Sequence, residues 1–395
     1  MQTEKSFHTP LRLPLYKGYP ASAAVRAGDL LFVSGQIALD GSGSVVAPGN
    51  VRGQAEIAFD RIQELVELAG GSMSDVVDVM SFHVDAREMD EVFDVARAFF
   101  PRDYPAWTPV GAASLPAPGL LVSIRAIAHL GAETKQCLTP DSSAWSRHLP
   151  LSAGCRKGDL AFVGGQVAAD PHGLVTTPGD HRAQARCGFS RIAEILSPLG
   201  GTLDDVIDVI SFHQDARGME PSGDVQRETF EHIPRTEVAA WTAIGTPALY
   251  KLGLLSSWRA IADLSVGPRI AKTPEALWWK NDPISGGTKK AGGSLIGISG
   301  EVASDGDGEI VSPGDTAAQA RYAFDRIREV MGMFGASMED VVEITSFHKD
   351  PRSWQIVMDV GKSYFANEGP AWTPIGTTGL FREGYLHEIH ALAVV

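Results

Sequence analysis

The chain has 395 residues, of which 44% are hydrophobic and 21% charged, a balance typical of a globular protein with room for two or three domains. Its net charge of −14, without clustered basic residues, argues against a nucleic-acid partner, because phosphate neutralisation requires grouped Lys and Arg. No window approaches the roughly 20 uninterrupted apolar residues of a membrane-spanning helix, so we expect no membrane partner either.

In chain order, the first third of the sequence predicts five strands and two helices. A hairpin comes first, at residues 23–26 and 29–37, with its turn at Ala27-Gly28. Asn50 then caps a helix whose apolar residues recur every 3.6 positions, and Gly70 follows its end. The remaining elements are a strand, a second amphipathic helix and two more strands, at residues 76–84, 87–100, 107–113 and 120–130.

This pattern is written three times. The motif Ser-Phe-His-x-Asp recurs around His83, His213 and His348, which are 130 and 135 positions apart. Each copy follows a Gly-Gln or Gly-Glu strand end and a Gln-Ala helix, and each precedes Ala-Trp-Thr and a final apolar strand. A period of this length is the size of a small domain. We therefore predict three tandem α+β domains, at residues 1–131, 132–266 and 267–395.

The segments between the repeats, residues 131–151 and 266–287, are predicted to be linkers. They carry Trp145, Trp278 and Trp279, and an apolar ring of this size favours a linker that lies against the protein. Linkers of about 20 residues are long enough to join adjacent domains.

Alternation along the strands assigns side chains to the two faces of each sheet. We expect Met80 and Phe82 to cover the helices, and Ser81 and His83 to point the other way. The face opposite the helices carries His and Arg, so it must pack against another sheet or line a cleft. Three such sheets in one chain can close around an axis.

The N-terminal residues, Met1 to Lys5, lack the basic region and apolar run of a secretory signal, so a cytoplasmic location is the default expectation. The three cysteines, Cys137, Cys155 and Cys187, lie in or just before the second repeat and have no counterparts elsewhere. A disulfide framework or metal site would have been copied with the domain, so we expect reduced thiols. We predict no metal site, because no third ligand is repeated near the His-x-Asp pair. We also predict no cofactor.

The order of elements, with Gly-Gln, the Gln-Ala helix, Pro-Ala-x-Ser/Thr and a final Ile-x-Ala-Ile-Ala, resembles the RidA/YjgF family of enamine and imine deaminases, whose fold is chorismate-mutase-like. The resemblance covers nearly the whole chain three times. It implies a mixed sheet with two helices on one face in each domain. It also implies an intramolecular pseudo-trimer with an inner barrel and a ligand cleft between neighbours, as a monomer or with further self-association.

Two residues of the family's pattern differ in this chain. Where the deaminases carry an arginine that holds the substrate carboxylate, the chain has tryptophan. The motif Ala-Trp-Thr-x-x-Gly resembles that of the YjgH-like branch. Where the resemblance implies a glutamate in the last strand, the chain has Arg or His. The positions concerned are Trp107, Trp241 and Trp372 for the first difference, and Arg125, Arg259 and His390 for the second.

These positions have alternative interpretations. Arg125 and Arg259 lie in apolar strands, where a guanidinium needs an anion; they are predicted to bind a ligand carboxylate, or alternatively to form an ion pair between repeats. The three tryptophans are predicted to be walls for a planar substrate, or alternatively core residues. The repeated His83, His213 and His348 are predicted to contact the substrate and exchange a proton with it, or alternatively to hold neighbouring strands together.

The third repeat departs from the other two toward titratable residues. Glu301 replaces two glutamines, His390 replaces two arginines, and Glu388 replaces Ser123 and Ser257. Such a set is typical of acid/base catalysis, and drift at the surface is the alternative. We therefore predict Glu301, Glu388 and His390 as catalytic residues.

The sequence thus favours an enzyme, a hydrolase or deaminase that acts on C–N bonds of an unsaturated, carboxylate-bearing small molecule such as an enamine or imine. A ring-opening hydrolase or lyase of chorismatase type is an alternative within the same fold. A non-catalytic ligand-binding or chaperone-like protein is another, because one fold supports many functions.

Overall fold

The computed structural model describes residues 3–9, 18–100, 102–234, 237–275, 277–280, 282–365 and 368–395. Met1 and Gln2, on which the expectation of no signal sequence partly depends, lie outside these residues. The strands and helices of the three repeats follow one another in the same order, apart from short 3₁₀ turns.

The first repeat contains β1 (Lys5–His8), β2 (Ala24–Ala27), β3 (Leu30–Gln36), α1 (Val51–Leu68), β4 (Val76–His83), α2 (Met89–Phe99), β5 (Ala106–Gly111) and β6 (Val122–His129). The second contains β7 (Gln136–Leu138), β8 (Gly154–Lys157), β9 (Leu160–Gln166), α3 (His181–Leu196), β10 (Val206–His213), α4 (Met219–Thr229), β11 (Ala240–Gly245) and β12 (Ser256–Asp263). The third contains β13 (Arg269–Lys272), β14 (Gly287–Lys290), β15 (Leu295–Glu301), α5 (Thr316–Met333), β16 (Val341–His348), α6 (Trp354–Gly361), β17 (Ala371–Gly376) and β18 (His387–Val394).

Each repeat forms a six-stranded mixed sheet with the same topology. In the first repeat the strand order is β1-β2-β3-β6-β4-β5, and the other two repeats match it strand for strand. The fourth and fifth strands of each repeat are parallel, and the other pairs are antiparallel. The two helices of the first repeat contact each other, and α1 packs on β3 and β6. The predicted α+β domain is therefore confirmed.

The helix starts follow from side-chain capping, as predicted. Asn50, Asp180 and Asp315 accept hydrogen bonds from the backbone N–H three residues later, at 2.9–3.0 Å, which satisfies an amide that would otherwise lack a partner. Pro221 does not prevent α4, because it is the third helical residue and the first turn needs no i−4 hydrogen bond.

The predicted linkers contain an edge strand each, which the sequence analysis missed. β7 and β13 lie in these segments and pair with β8 and β14. The expectation that the linker tryptophans lie against the protein is confirmed. Trp145 stacks on Tyr250 with ring centroids 5.8 Å apart, and Trp278 donates a hydrogen bond from Nε1 to Ser304 Oγ at 2.9 Å.

The same edge strand corrects the expectation about cysteine. Cys137 on β7 lies directly opposite Cys155 on β8, and the two form a disulfide. Cys187 is free. The expectation of three reduced thiols was wrong for this pair because it assumed that a disulfide would be copied into every repeat, whereas this bridge is present once and depends on the pairing of β7 with β8.

The three repeats contact one another in a cycle. β5 packs on β9, β11 on β15, and β17 on β3, and single bridges join Ala106 to Ser152, Ala240 to Ser285 and Ala371 to Ser22. The described residues nevertheless form three separate sheets, so the expected inner barrel is not one continuous hydrogen-bonded sheet.

The inner faces meet around the axis of this cycle, and this corrects the assignment of β4. Phe82, Phe212 and Phe347 form a triangle with centroid separations of 6.2–6.5 Å, so Phe82, and Met80 beside it in the same apolar cluster, face the axis instead of the helices. Alternation correctly predicts which residues of β4 share a face. It does not identify the face, since all of β4 is buried. The expectation that His and Arg lie on one face was wrong, because Arg125 pairs with Met80 on the axis side. Ser81 and His83 lie on the side of Ile124 and the helices.

We expect the chain in solution to be one compact particle because each repeat contacts both others. A compact chain of this length should have a radius of gyration of about 21 Å, which small-angle X-ray scattering measures directly. An elongated profile with separate maxima for three domains would contradict the cyclic arrangement.

Candidate functional site

The repeated Ser-x-His motif forms a hydrogen-bonded trio with the repeated tryptophan. In the first repeat Trp107 Nε1 donates to Ser81 Oγ at 2.8 Å, and this hydroxyl lies 2.7 Å from His83 Nε2. The other two repeats have the same trio at 2.7–2.9 Å. Burial lowers the pKa of His83 and of His213 to about 3, and it lowers that of His348 well below its usual value. The Trp–Ser hydrogen bond joins the fifth strand of each repeat to the fourth, whereas each histidine contacts a serine of its own strand.

Arg125 and Arg259 lie at the axis, fully buried, in ion pairs that cross between repeats. Arg259 Nη2 is 2.7 Å from Asp78 Oδ2 of the first repeat, and its Nη1 is 3.3 Å from Asp208 of its own. Arg125 pairs in the same way with Asp78 at 3.7 Å and with Glu343 of the third repeat. This is the ion-pair alternative, and neither arginine borders the cavity described below.

His390 takes the arginine's place in the third repeat and belongs to the same group. Its Nε2 lies 2.9 Å from Asp208 Oδ1, and its side chain is fully buried. We call these six residues the axial ring: Asp78, Arg125, Asp208, Arg259, Glu343 and His390.

Each pair of successive repeats encloses a cleft between the Trp-bearing strand of one and the last strand of the next, and the three clefts differ greatly in size. The cleft between repeats 2 and 3, cleft 2/3, holds a cavity of about 720 Å³. Cleft 1/2 holds about 40 Å³, and cleft 3/1, as far as the described residues define it, has no internal volume. A volume of about 300–1,000 Å³ is usual for a small-molecule site, so cleft 2/3 is the candidate.

One difference between cleft 1/2 and cleft 2/3 lies at a position in the second helix, ten residues after the repeated histidine. In the first repeat this residue is Phe93, whose ring lies 5.1 Å from Trp107 and 5.7 Å from Tyr250 and fills the cleft. In the second repeat it is Gly223, which borders the large cavity together with Trp241.

A second difference lies in the loop after the fifth strand. The Tyr250 hydroxyl donates a hydrogen bond to Asp90 Oδ1 at 2.7 Å, and this bond closes cleft 1/2. Phe381 stands at the matching place in cleft 2/3, five residues after the glycine that ends the strand, and it has no hydroxyl to donate. Cleft 2/3 therefore lacks both the plug and the hydrogen bond across its mouth.

Of the three repeated tryptophans, Trp241 borders the large cavity. Trp107 is packed by Phe59 and Phe93 beside the small cavity. Trp372 is fully buried, and a Cβ at Gly361 would lie 2.9 Å from its ring. Further aromatic side chains line the cavity around Trp241: Trp278, Trp279, Phe381 and Tyr385.

Glu388 is the buried acid of cleft 2/3. It lies on β18, is 4% exposed, and borders the cavity. Burial raises its pKa to about 8; the neighbouring Glu301 adds to this shift, and a hydrogen bond from the Ala243 backbone opposes it. A carboxyl of this kind is neutral at pH 7 and can donate a proton.

Glu301 lies behind the cavity wall. It pairs across the sheet with Ile389, which belongs to the core under the helices, and it does not border the cavity, although Gly300 and Val302 do. Burial raises its pKa to about 8, with Arg326 opposing and Glu329 adding to the shift. The predicted group is thus divided: Glu388 is at the cavity, Glu301 is one layer behind it, and His390 is at the axis.

Arg382 is a cavity residue that the sequence analysis missed. Its guanidinium lies over the Trp278 ring at 3.9 Å, and its Nη1 donates to Gly308 O at 2.8 Å. Among the described residues no carboxylate lies within ion-pair distance of Arg382, whereas Arg217 and Arg227, which also line the cavity, pair with Asp215 and Asp224. Only comparison of the three loops, position by position, would have found Arg382.

In the part of the chain that the structure describes, no group of three or more His, Cys, Asp and Glu side chains is placed to hold a metal ion. None of the helices in the described ranges has the length and apolar content needed to cross a bilayer.

Three copies of one α+β domain, arranged in a cycle, define a fused three-domain protein. Among the described residues, cleft 2/3 holds a cavity of the size usual for a small-molecule site. A family model described as Endoribonuclease L-PSP matches residues 15–130, 143–256 and 287–395. These matches cover most of the chain, which therefore belongs to this family, the RidA/YjgF family.

Two relatives each match about one repeat. The RutC family protein YjgH of Escherichia coli (strain K12) is 37% identical over 102 residues, 25% of this chain and 76% of its own length. A 2-iminobutanoate/2-iminopropanoate deaminase of Dermatophagoides farinae is 36% identical over 97 residues, again 25% of this chain and 76% of its own length. A chorismatase crystal structure covers 81% of this chain and 93% of its own, with a TM-score of 0.52 and 14% identity, and shares the fold alone.

We expect Arg259→Ala to destabilise the protein by about 3–5 kcal/mol, because Asp78 and Asp208 lose their shared buried partner. Chemical denaturation measures the change. Arg87→Ala, which removes an exposed ion pair with Asp85, is the control and should stay within about 0.5 kcal/mol. Equal, small effects of the two variants would show that the axial ring does not hold the repeats together.

Proposed function

We propose that the protein is a small-molecule hydrolase that removes nitrogen from an imine or enamine in cleft 2/3, with Glu388 as its acid/base residue. The observation that carries this proposal is a single one. A cavity of about 720 Å³ in cleft 2/3 contains a buried carboxyl whose pKa is raised to about 8. The similarity to an imine deaminase at 36% identity supports the choice of reaction.

Glu388 can serve both proton transfers of imine hydrolysis. The neutral acid protonates the imine nitrogen, which makes the carbon a better electrophile, and the carboxylate formed then takes a proton from the attacking water. The resulting carbinolamine receives that proton on nitrogen, loses its hydroxyl proton to Glu388, and breaks its C–N bond. The products are a carbonyl compound and ammonia, and Glu388 returns to its starting neutral form.

Arg382 is the residue that we assign to a substrate carboxylate. A guanidinium offers a planar pair of donors that matches a carboxylate, and Arg382 keeps this capacity because its contacts are a ring and one carbonyl oxygen. Trp241 supplies the wall against which the unsaturated part of the substrate lies. Arg125 and Arg259 have no part in this assignment, since their guanidinium groups are already paired at the axis.

Glu301 is proposed to tune Glu388 and not to touch the substrate. Two carboxyls that share a dry region cannot both ionise readily, so the ionisation of each raises the pKa of the other. This arrangement keeps Glu388 neutral up to about pH 8, where a proton donor to nitrogen is needed.

Two alternative functions, a ring-opening reaction and ligand binding without catalysis, would use the same cavity. A ring-opening reaction of chorismatase type is favoured by the shared fold over most of the chain. A binding protein without catalysis would need Trp241 and Arg382 but not the acid form of Glu388. The net charge of −14 argues against RNA as the substrate.

We expect Glu388→Gln to lower turnover of 2-imino acids by about 10²- to 10⁴-fold with ligand affinity retained, because the amide keeps the shape but cannot donate and recover a proton. Steady-state kinetics with imines generated in situ, together with calorimetric binding, provide the measurement. Glu383→Gln, at the exposed rim of the same cavity, is the matched control. Turnover equal to wild type in Glu388→Gln would refute the assignment.

The pH dependence follows from the raised pKa values. The active form of Glu388 is neutral, so kcat/KM should be level below pH 8 and fall as pH rises through about 8. Glu301→Gln removes one cause of the raised pKa, so the falling limb should move to lower pH while the limiting rate changes little. A pH profile of this variant that coincides with wild type would show that the two acids are not coupled.

A further inference from the structure

We propose that cleft 2/3 contains a subsite for an aromatic ring of the ligand, above Gly223 and against the face of Trp241. The proposal rests on the proposed function in placing the ligand in this cavity. It adds a class of ligand: molecules that carry an aromatic or heteroaromatic ring beside the group that reacts at Glu388.

The first repeat shows what the subsite accommodates. In cleft 1/2 the ring of Phe93 meets Trp107 at 5.1 Å and 81° and Tyr250 at 5.7 Å and 67°. These are the edge-to-face arrangements that aromatic pairs prefer, at centroid distances of about 4.5–7 Å. The cleft therefore contains a ring of its own and has almost no space left.

The second repeat removes that ring and keeps part of its surroundings. Trp241 occupies the place of Trp107, with the same hydrogen bond from Nε1 to serine, and Phe381 occupies that of Tyr250. In addition, Trp241 stacks on Trp258, with ring centroids 6.0 Å apart, where the first repeat has Ile124.

At Gly223 an added Cβ would lie 3.5 Å from Cζ3 and 3.7 Å from Cη2 of Trp241, which is ordinary contact. A side chain at this position would therefore begin in contact with the six-membered ring of the Trp241 indole. Phe93 is the residue at the matching position of the first repeat.

The third repeat shows that the space is specific to the second. At the same position it has Met358, which is fully buried, and the adjoining cleft has no internal volume among the described residues. A glycine inside a helix costs about 0.5–1 kcal/mol relative to alanine, so Gly223 gives α4 no stability. Its effect is to leave an aromatic-walled space connected to Glu388 within one cavity.

The ligand can supply the missing ring. Small 2-imino acids of three or four carbons would leave most of a cavity of about 720 Å³ empty or wet. A ring in the position of Phe93 would gain the same edge-to-face contacts, while a carboxylate on the same molecule reaches Arg382 at the rim. The inferred substrates are therefore aryl-bearing 2-imino acids or their enamine tautomers.

Indole, which carries the ring and no reacting group, tests the subsite by itself. Isothermal titration calorimetry should give one site in the wild type and a loss of affinity of at least about tenfold in Gly223→Phe. The matched variant Phe93→Gly should add a second site in cleft 1/2. Gly223→Phe is expected to fold, because Gly223 lies in α4 and the new Cβ meets no close contact, so the test holds even if Phe93→Gly is unstable.

Kinetics separate the failure of this proposal from the failure of the proposed function. The wild type should prefer the imine derived from phenylalanine over that derived from alanine, and Gly223→Phe should reduce or reverse this preference. If indole binding is lost in Gly223→Phe and no imine is hydrolysed, the subsite stands and the proposed reaction fails. If imines are hydrolysed but Gly223→Phe changes neither the preference nor indole affinity, or wild type binds no indole up to its solubility limit, the subsite is refuted.

Discussion

The axial ring is the constraint on which the arrangement of the three repeats depends. Each of its arginines pairs with a carboxylate of its own repeat and with one of the preceding repeat, and all of these groups are fully buried. A buried charge left without its partner is strongly destabilising. The repeats therefore gain these pairings together only when they close into a cycle, and the apolar clusters on either side of the ring exclude water from it.

A fixed cycle makes the clefts an unavoidable product of the fold. Each cleft is formed where the strand carrying Ala-Trp-Thr of one repeat meets the third strand of the next, which pairs with the last strand. The position of the cleft does not depend on what fills it. Separate identical chains would carry any change in all three clefts at once. A fused chain can fill one cleft with Phe93, close another, and open the third at Gly223, while the axial ring and the Phe82 triangle stay in place.

The sequence predicts the parts of this structure that are encoded locally. The repeat, the caps at Asn50, Asp180 and Asp315, and the order of elements all follow from short patterns. The orientation of β4 does not, because both of its faces are buried and alternation alone cannot distinguish the axis from the helices. The partners of Arg125 and Arg259 are out of reach for a similar reason. The carboxylates belong to other repeats, 181 residues away along the chain in the case of Asp78 and Arg259.

The candidate site illustrates how repetition separates structural residues from functional ones. The Ser, His and Trp residues of the trio are present in every repeat and make the same contacts. The Trp–Ser hydrogen bond joins the fifth strand to the fourth and fixes the orientation of each indole. Residues present once, namely Gly223, Arg382 and Glu388, all border one cavity. A repeated frame with a few single departures suits the proposed site, because the frame sets the position of Trp241 while the departures would supply space, charge and a proton. In a tandem-repeat chain the informative comparison is therefore internal: the position that differs between copies, and lies beside a side chain that does not, marks the site.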